Sequence, residues 1–290
     1  MLNTPLSSFD LDSIVTRAIE EDISHGDITT NLLIPPEVQT HATILAKQPL
    51  TVAGILVLRK VFETIDSSVS IHMECGDGTD AEPGQAIAAL EGPSQSILTG
   101  ERVALNFLQH LSGIATLTKQ FCEVIREYPT KILDTRKTTP GLRALEKWAV
   151  TCGGGTNHRM SLNDGILIKD NHLALLSTQG IDITVACRMA KANAPQGLRV
   201  CVEIESLDDI KHALAGQADV LLLDNMTPDL VHKAVSQIKG QAVVEVSGGI
   251  TLKNVREFAA AGADYISVGA LTHSAPSVDI SLDIQPLPTS

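Results

Sequence analysis

Lys131–His172 reads KILDTRKTTPGLRALEKWAVTCGGGTNHRMSLNDGILIKDNH, and the rest of the chain is organised around it. It holds seven Lys or Arg (Lys131, Arg136, Lys137, Arg143, Lys147, Arg159, Lys169) against four Asp or Glu (Asp134, Glu146, Asp164, Asp170), a balance of +3. The whole chain is −12, so the residues outside this stretch sum to −15. An acidic chain has gathered its cations around two short apolar runs, Ile132-Leu133 and Gly165–Ile168. Each run ends in polar residues: Asp134-Thr135-Arg136-Lys137 after the first, Lys169-Asp170-Asn171-His172 after the second. A strand that delivers side chains to a pocket at its C-terminal end reads this way. Clustered cations predict a ligand with several negative charges.

Downstream, the rhythm of apolar run, polar residue and helix repeats. Val200–Ile204, Val220–Leu223, Val243–Val246 and Tyr265–Val268 are followed by Glu205, Asp224, Ser247 and Gly269. Helical patterns over Ile183–Ala192, Leu207–Leu214, Leu230–Ile238 and Leu252–Ala260 separate most of them. Repeated β-α units imply parallel strands. Six such strands predict a barrel short of the eight-stranded standard, with an open doubly wound sheet as the alternative. In a barrel, the polar residues at the strand ends line the ligand site.

Upstream, Leu11, Ile14, Val15, Ala18 and Ile19 have helical spacing, with Asp10 in the N-cap position. EDISHGDITT reads as a polar loop, His41–Lys47 as a strand, Gly54–Ile65 as a helix and Val69–Met73 as a strand. GDGTDAEPGQAIAALEGP is turn chemistry around a short strand. A long helical segment over Gln95–Arg126, with a break expected near Gly113, carries Arg102 and His110. Val278–Ile284 alternates and suits a return to the sheet of this first α/β unit.

Composition excludes several classes. With 43% hydrophobic and 19% charged residues, 290 residues suit an ordinary soluble globular protein. At 3% aromatic and −12, a nucleic-acid surface is not expected. No apolar run approaches a membrane span, and MLNTPLSSFDLD lacks the basic and apolar regions of a signal peptide. Five scattered cysteines (Cys75, Cys122, Cys152, Cys187, Cys201), with no CxxC pair, suit free thiols in the cytoplasm rather than a zinc site.

Ser247-Gly248-Gly249-Ile250 and Val268-Gly269-Ala270 follow successive apolar runs. Loops after the last two strands of a barrel bind phosphate through backbone N–H groups; either loop alone would be ordinary turn material. Thr135-Arg136-Lys137 suits phosphate or carboxylate, since Arg offers a bidentate fork and Lys a point charge. A solvated charged turn is the plainer alternative. Three glycines before His158-Arg159 let backbone approach a ligand closely. Lys169 is either a Schiff-base nucleophile or a fixed cation, and the surrounding cations favour the second. Glu203 and Asp224 suit Mg²⁺ held with phosphate oxygens and waters, or stabilisation of a cationic sugar; salt-bridge partners for the cations are the alternative. Glu203 and Glu205 share a strand face, so periodicity does not separate them.

These residues resemble a known family. DTRKTTPGLRALEKWAV, CGGGTNHRMSLNDGILIKDNH, VEIES, LLLDNM, VEVSGGI and YISVGALTHS are similar to quinolinate phosphoribosyltransferase, the carboxylating nicotinate-nucleotide pyrophosphorylase of NAD biosynthesis; so are EDISHGDITT and GERVALNFLQHLSGIAT. Trp148 stands where an aromatic, often Tyr, is expected.

The resemblance implies an N-terminal α/β sandwich domain over 1–113, rejoined by the tail 272–290, and an open, incomplete (six- to seven-stranded) α/β barrel over 114–271. It implies phosphoribosyl transfer from phosphoribosyl pyrophosphate (PRPP) to the ring nitrogen of quinolinate, with decarboxylation, and Mg²⁺ as the only cofactor. Arg136, His158, Arg159 and Lys169 would hold the quinolinate carboxylates, with Thr135 beside them. Lys137 would serve PRPP, and Glu203 (rather than Glu205) and Asp224 would face the ribose and Mg²⁺, so that Lys137, Lys169, Glu203 and Asp224 form the catalytic set. Ser247–Gly249 and Val268–Ala270 would bind the 5-phosphate. It also implies a homodimer with shared sites, each receiving Arg102 of the partner subunit. The rival readings are a phosphoribosyltransferase with another aromatic acid acceptor, a Schiff-base barrel lyase using Lys169, and a catalytically silent anion-binding protein.

Overall fold

The computed structural model describes residues 8–286, with side chains from 11 to 285. The chain divides into two units. One comprises 120–137 and 155–270; the other takes the remaining described residues, 8–119, 138–154 and 271–286.

In the first of these units, the strands are β1 (Lys131–Leu133), β2 (Ile166–Ile168), β3 (Val200–Ile204), β4 (Val220–Asp224), β5 (Val243–Ser247) and β6 (Tyr265–Ser267). All pair in parallel, in the order β1-β6-β5-β4-β3-β2. The end strands β1 and β2 do not pair with each other, so the barrel is open along one seam. Thr156 adds a parallel bridge outside β1: its N–H donates to Ile132 O (2.8 Å) and its carbonyl accepts from Asp134 N (3.2 Å).

Register defines the inner face. Leu167 pairs with Cys201, Cys201 with Val220 and Val220 with Val243, so these side chains point the same way. Cys201, Val220 and Leu222 form an apolar layer with Leu167 and Val243. Two aspartates clamp the N-terminal ends of the strands. Asp219 Oδ2 accepts from Val200 N (2.7 Å) while its own N–H donates to Val200 O (2.8 Å). Asp264 repeats the clamp on Val244 (2.8 and 3.0 Å).

The other unit holds a four-stranded antiparallel sheet, in the order Ile280–Pro286, Gln39–Ala46, Ala86–Pro93, Ser70–Met73. The tail strand thus lies beside Gln39–Ala46, with Thr40 opposite Pro286 and Ala46 opposite Ile280. Asp77 caps the helix Ile55–Ile65 by accepting from Gly54 N and Ile55 N, and its second oxygen accepts from Trp148 Nε1 (2.7 Å).

Four local expectations need correction. Asp10 is not an N-cap: it lies inside the helix Ser8–Ile23, and its side chain falls outside the described ones. The loop EDISHGDITT ends in a short helix, Ile28–Leu33, capped by Asp27 accepting from Thr30 N (2.9 Å). The long helix runs unbroken from Ser94 to Val124. A Cβ on Gly113 would lie 2.1 Å from Pro276 O, and one on Gly153 would lie 2.3 Å from Ala115 O. Both glycines allow close backbone packing, so Gly113 is not a helix break, and Gly153 packs against the long helix. Finally, a helix stands at Arg143–Cys152, where the sequence reading assigns no element, and 138–154 falls in the same unit as the antiparallel sheet. Its Glu146 is wholly buried, with Oε1 3.0 Å from His110 Nε2 and Oε2 accepting from Thr139 N (3.0 Å).

Among the described residues, no helix is long and apolar enough to cross a membrane.

Candidate active site

The strand ends bring the predicted residues together. Lys169 follows β2 directly. Glu203, Asp224 and Ser247 end the inner faces of β3, β4 and β5, and Asp224 is paired with Ser247 in register. Lys169 Nζ lies 3.6 Å from Glu203 Oε1. Glu203 Oε2 accepts from Asp170 N (3.1 Å), at the start of the helix Asp170–Ser177. Glu205 lies past β3 and is exposed. The structure therefore separates two acids that periodicity leaves equivalent: Glu203 is the one turned to the lysine. Lys169 is half exposed and ion-paired, the setting of a fixed cation rather than of a buried amine nucleophile.

Asp224 shows how closely the rim groups are coupled. Burial raises its carboxyl above the usual range and Glu203 raises it further, while Lys137, Lys169 and a hydrogen bond from Ser247 pull it back. Asn225 Nδ2 also donates to Asp224 Oδ2 (2.6 Å). Lys137 is exposed, and its N–H donates to Thr135 Oγ1 (3.0 Å). Two acids and two lysines therefore act on one another across a few strand ends.

The arginines form a second cluster. Asp134, fully buried after β1, accepts from His158 N (2.8 Å) and so ties the glycine-rich loop to the strand. Arg159 Nη1 donates to Gly165 O (2.8 Å). Burial lowers the pKa of the Arg159 guanidinium and the charge of Arg136 lowers it further. Two guanidiniums near enough to repel each other make a site that an anion would stabilise. His158 Nδ1 accepts from Arg159 N (2.7 Å), and its Nε2 stands 3.4 Å from Glu245 Oε1. A cavity of about 350 Å³ opens here, lined by Leu133, His158, Arg159, Cys201, Glu245 and Tyr265.

Two loops follow the neighbouring strands β5 and β6. Gly248 has φ +94°, and a Cβ there would lie 2.2 Å from Asn225 Oδ1, so only glycine fits. Asn254 braces the first loop, donating from Nδ2 to Gly249 O (3.0 Å) and accepting at Oδ1 from Thr251 N (2.7 Å). In the second, Val268 N donates to Leu133 O (2.9 Å); Gly269 and Ala270 are half-exposed, and Ala270 opens the short helix Ala270–His273.

Arg102 belongs to a different unit from these clusters. It is exposed on the helix Ser94–Val124, in the unit with the antiparallel sheet. Three supporting residues escaped the sequence reading: Glu245, Asn225 and Asn254. Only Glu245 leaves a trace there, as the one charged residue inside the apolar run Val243–Val246.

Comparison with known proteins identifies the family and the fold. The family profile "Quinolinate phosphoribosyl transferase, N-terminal domain" matches residues 27–112, and the profile for the C-terminal domain matches 114–283. The chain is 41% identical over 279 residues to a probable nicotinate-nucleotide pyrophosphorylase (carboxylating) of Bacillus subtilis, covering 96% of this chain and 95% of that one. It is 37% identical to a quinolinate phosphoribosyltransferase (decarboxylating) of Nicotiana glauca, over 96% of this chain and 83% of the other. The solved nicotinate-nucleotide pyrophosphorylase of Francisella tularensis superposes with a TM-score of 0.91 at 36% identity, over 97% of this chain and 98% of its own. The chain belongs to the quinolinate phosphoribosyltransferase family.

Proposed function

We propose that the chain joins quinolinate to PRPP, giving nicotinate mononucleotide, pyrophosphate and CO₂. The observation that carries this is a juxtaposition around the open end of one barrel: a repelling guanidinium pair, Arg136 and Arg159, and an acid pair, Glu203 and Asp224, set among lysines. A dicarboxylate suits the first pair, and a sugar that becomes cationic suits the second.

In this reading Arg136, Arg159 and Lys169 hold the two carboxylates, with Thr135 and His158 shaping the same pocket. Lys137 meets the pyrophosphate. Ser247–Gly249 and Val268–Ala270 take the 5-phosphate on backbone N–H groups. The ring nitrogen attacks the anomeric carbon, the C–O bond to pyrophosphate breaks, and Glu203 and Asp224 face the positive charge that develops on the sugar. The alkylated nitrogen then accepts the electron pair left when the adjacent carboxylate departs as CO₂, and that ring carbon takes up a proton. The chain contributes chiefly position and fixed charge.

Mg²⁺ fits the donor set. Like-charge repulsion from Glu203 helps to raise Asp224, and a divalent cation nearby would relieve it. Two carboxylates suit an ion bound largely by substrate oxygens and water. When bound, Mg²⁺ neutralises the departing pyrophosphate. The reading extends to a homodimer, each barrel receiving Arg102 of the partner subunit, and to the cytoplasm, on the odd and scattered cysteines.

The test is a product assay with purified protein, Mg²⁺, PRPP and quinolinate, and nicotinate in a parallel reaction. Pyrophosphate and CO₂ from quinolinate, with nothing from nicotinate, is the expected result. Pyrophosphate from nicotinate alone would overturn the acceptor, and silence in both would overturn the reaction.

A further inference from the structure

Glu245 is a buried acid within the apolar interior of the barrel. It sits mid-strand in β5 and is 3% exposed. Its register partner is Leu222 on one side and Tyr265 on the other, and Cys201 lines the same cavity. A carboxylate in so apolar a layer is costly unless it is paired. Glu245 Oε1 has two partners. Ser267 Oγ, itself buried, donates to it (2.5 Å), and His158 Nε2 lies 3.4 Å away.

The other face of the imidazole distinguishes its two nitrogens. Nδ1 accepts from Arg159 N at 2.7 Å, so it bears no proton, and the ring hydrogen sits on Nε2, toward Glu245. Both ring nitrogens are thus turned to protein groups. The backbone of the same residue is anchored from the far side by Asp134. The chain Ser267–Glu245–His158–Arg159 runs from the barrel interior to the backbone of the arginine that faces Arg136.

We infer that Glu245 is a positioning residue. It holds His158 as the neutral Nε2–H tautomer, and His158 in turn fixes the main chain of Arg159, so that the guanidinium pair is preset for a dicarboxylate. Glu245 thus acts through His158 and Arg159 rather than on the reacting atoms. This rests on the reading of Arg159 as a carboxylate ligand.

Two measurements test it. In the unmutated protein, ¹⁵N spectra of the histidine side chains, with His158 assigned by its loss in His158→Asn, should show one neutral ring protonated at Nε2 near pH 7.5. A ring protonated at Nδ1, or at both nitrogens, overturns the inference whatever the enzyme's substrate proves to be. The second measurement compares Glu245→Leu with Glu245→Gln. If Glu245 merely fills space, Leu should be tolerated at least as well as Gln, because replacing a buried ion by an apolar group is often neutral or stabilising. If it positions His158, Gln keeps an acceptor and Leu does not. Glu245→Leu should raise the KM for quinolinate about tenfold, the size expected for a lost hydrogen bond, while kcat and the KM for PRPP stay within about twofold. Glu245→Gln should recover most of that loss. Equal KM values for wild type and Glu245→Leu, or a better result with Leu than with Gln, would overturn it. Should Glu245→Leu not fold, a KM for quinolinate in Glu245→Gln near wild type together with the Nε2–H ring supports the role, and loss of either overturns it.

Discussion

Two guanidiniums set within range of each other raise the energy of the empty pocket, and a ligand carboxylate recovers that energy on binding. Arg159 is the test of this idea, because its pKa is lowered by burial and by Arg136 together. Replacing Arg159 with Ala removes a charge-assisted contact of about 1.5–3 kcal/mol. Steady-state kinetics should show the KM for quinolinate rising at least tenfold, by the rule that about 1.4 kcal/mol is a factor of ten, with the KM for PRPP little changed. Equal quinolinate kinetics would remove Arg159 from the pocket. Arg136 and Asp224 were legible as candidates because residue type and a place just after an apolar run state their chemistry; Arg159 was marked by the glycines before it, and Glu203 was preferred to Glu205 only through the family resemblance. Asn225 and Asn254 were not legible, because an asparagine acquires its role only when folding carries it to a particular carbonyl or glycine, and nothing in SGGITLKN says which. The Ala-Asp that precedes both β4 and β6 is a repeat of the same kind: its meaning is the clamp on a neighbouring strand, which one dimension does not show.

At the scale of elements, the parallel strands were read almost to the residue, since buried strands are continuous apolar runs closed by a polar residue. Helices were read where one face is wet. Arg143–Cys152 was missed because Leu145 through Val150 are all buried, Glu146 and Lys147 included, so no apolar stripe separates a core face from a solvent face. Propensity alone predicts a break of the long helix at Gly113, and the helix runs through it. Propensity and packing make opposite predictions there. By propensity, Gly113→Ala should stabilise by about 1 kcal/mol. By packing, a Cβ 2.1 Å from Pro276 O must push backbone away, at a cost of about 1–3 kcal/mol. Urea unfolding should show a lower midpoint for Gly113→Ala; a higher one would mean that the tail segment yields without cost.

For the whole molecule, Arg102 poses the remaining question. It is exposed, and nothing in its own helix requires a cation there. If each barrel borrows Arg102 of the partner subunit, an Arg102→Ala chain and a Lys169→Ala chain, each inactive alone, should complement when mixed and allowed to exchange. Random pairing leaves about half the dimers hybrid with one intact site each, so about a quarter of wild-type activity should return. No recovery, with exchange demonstrated, would count against a shared site. The tail strand carries a different kind of consequence. Thr40 Oγ1 donates to Gln285 O across 245 residues of chain, so the sheet that is begun first is finished last. At ribosomal speeds of about 5–20 residues per second, Gln39–Ala46 waits roughly ten to fifty seconds for its outer neighbour. Through that interval it is an open sheet edge, the kind of surface that recruits other strands, and every nascent copy of the chain passes through it.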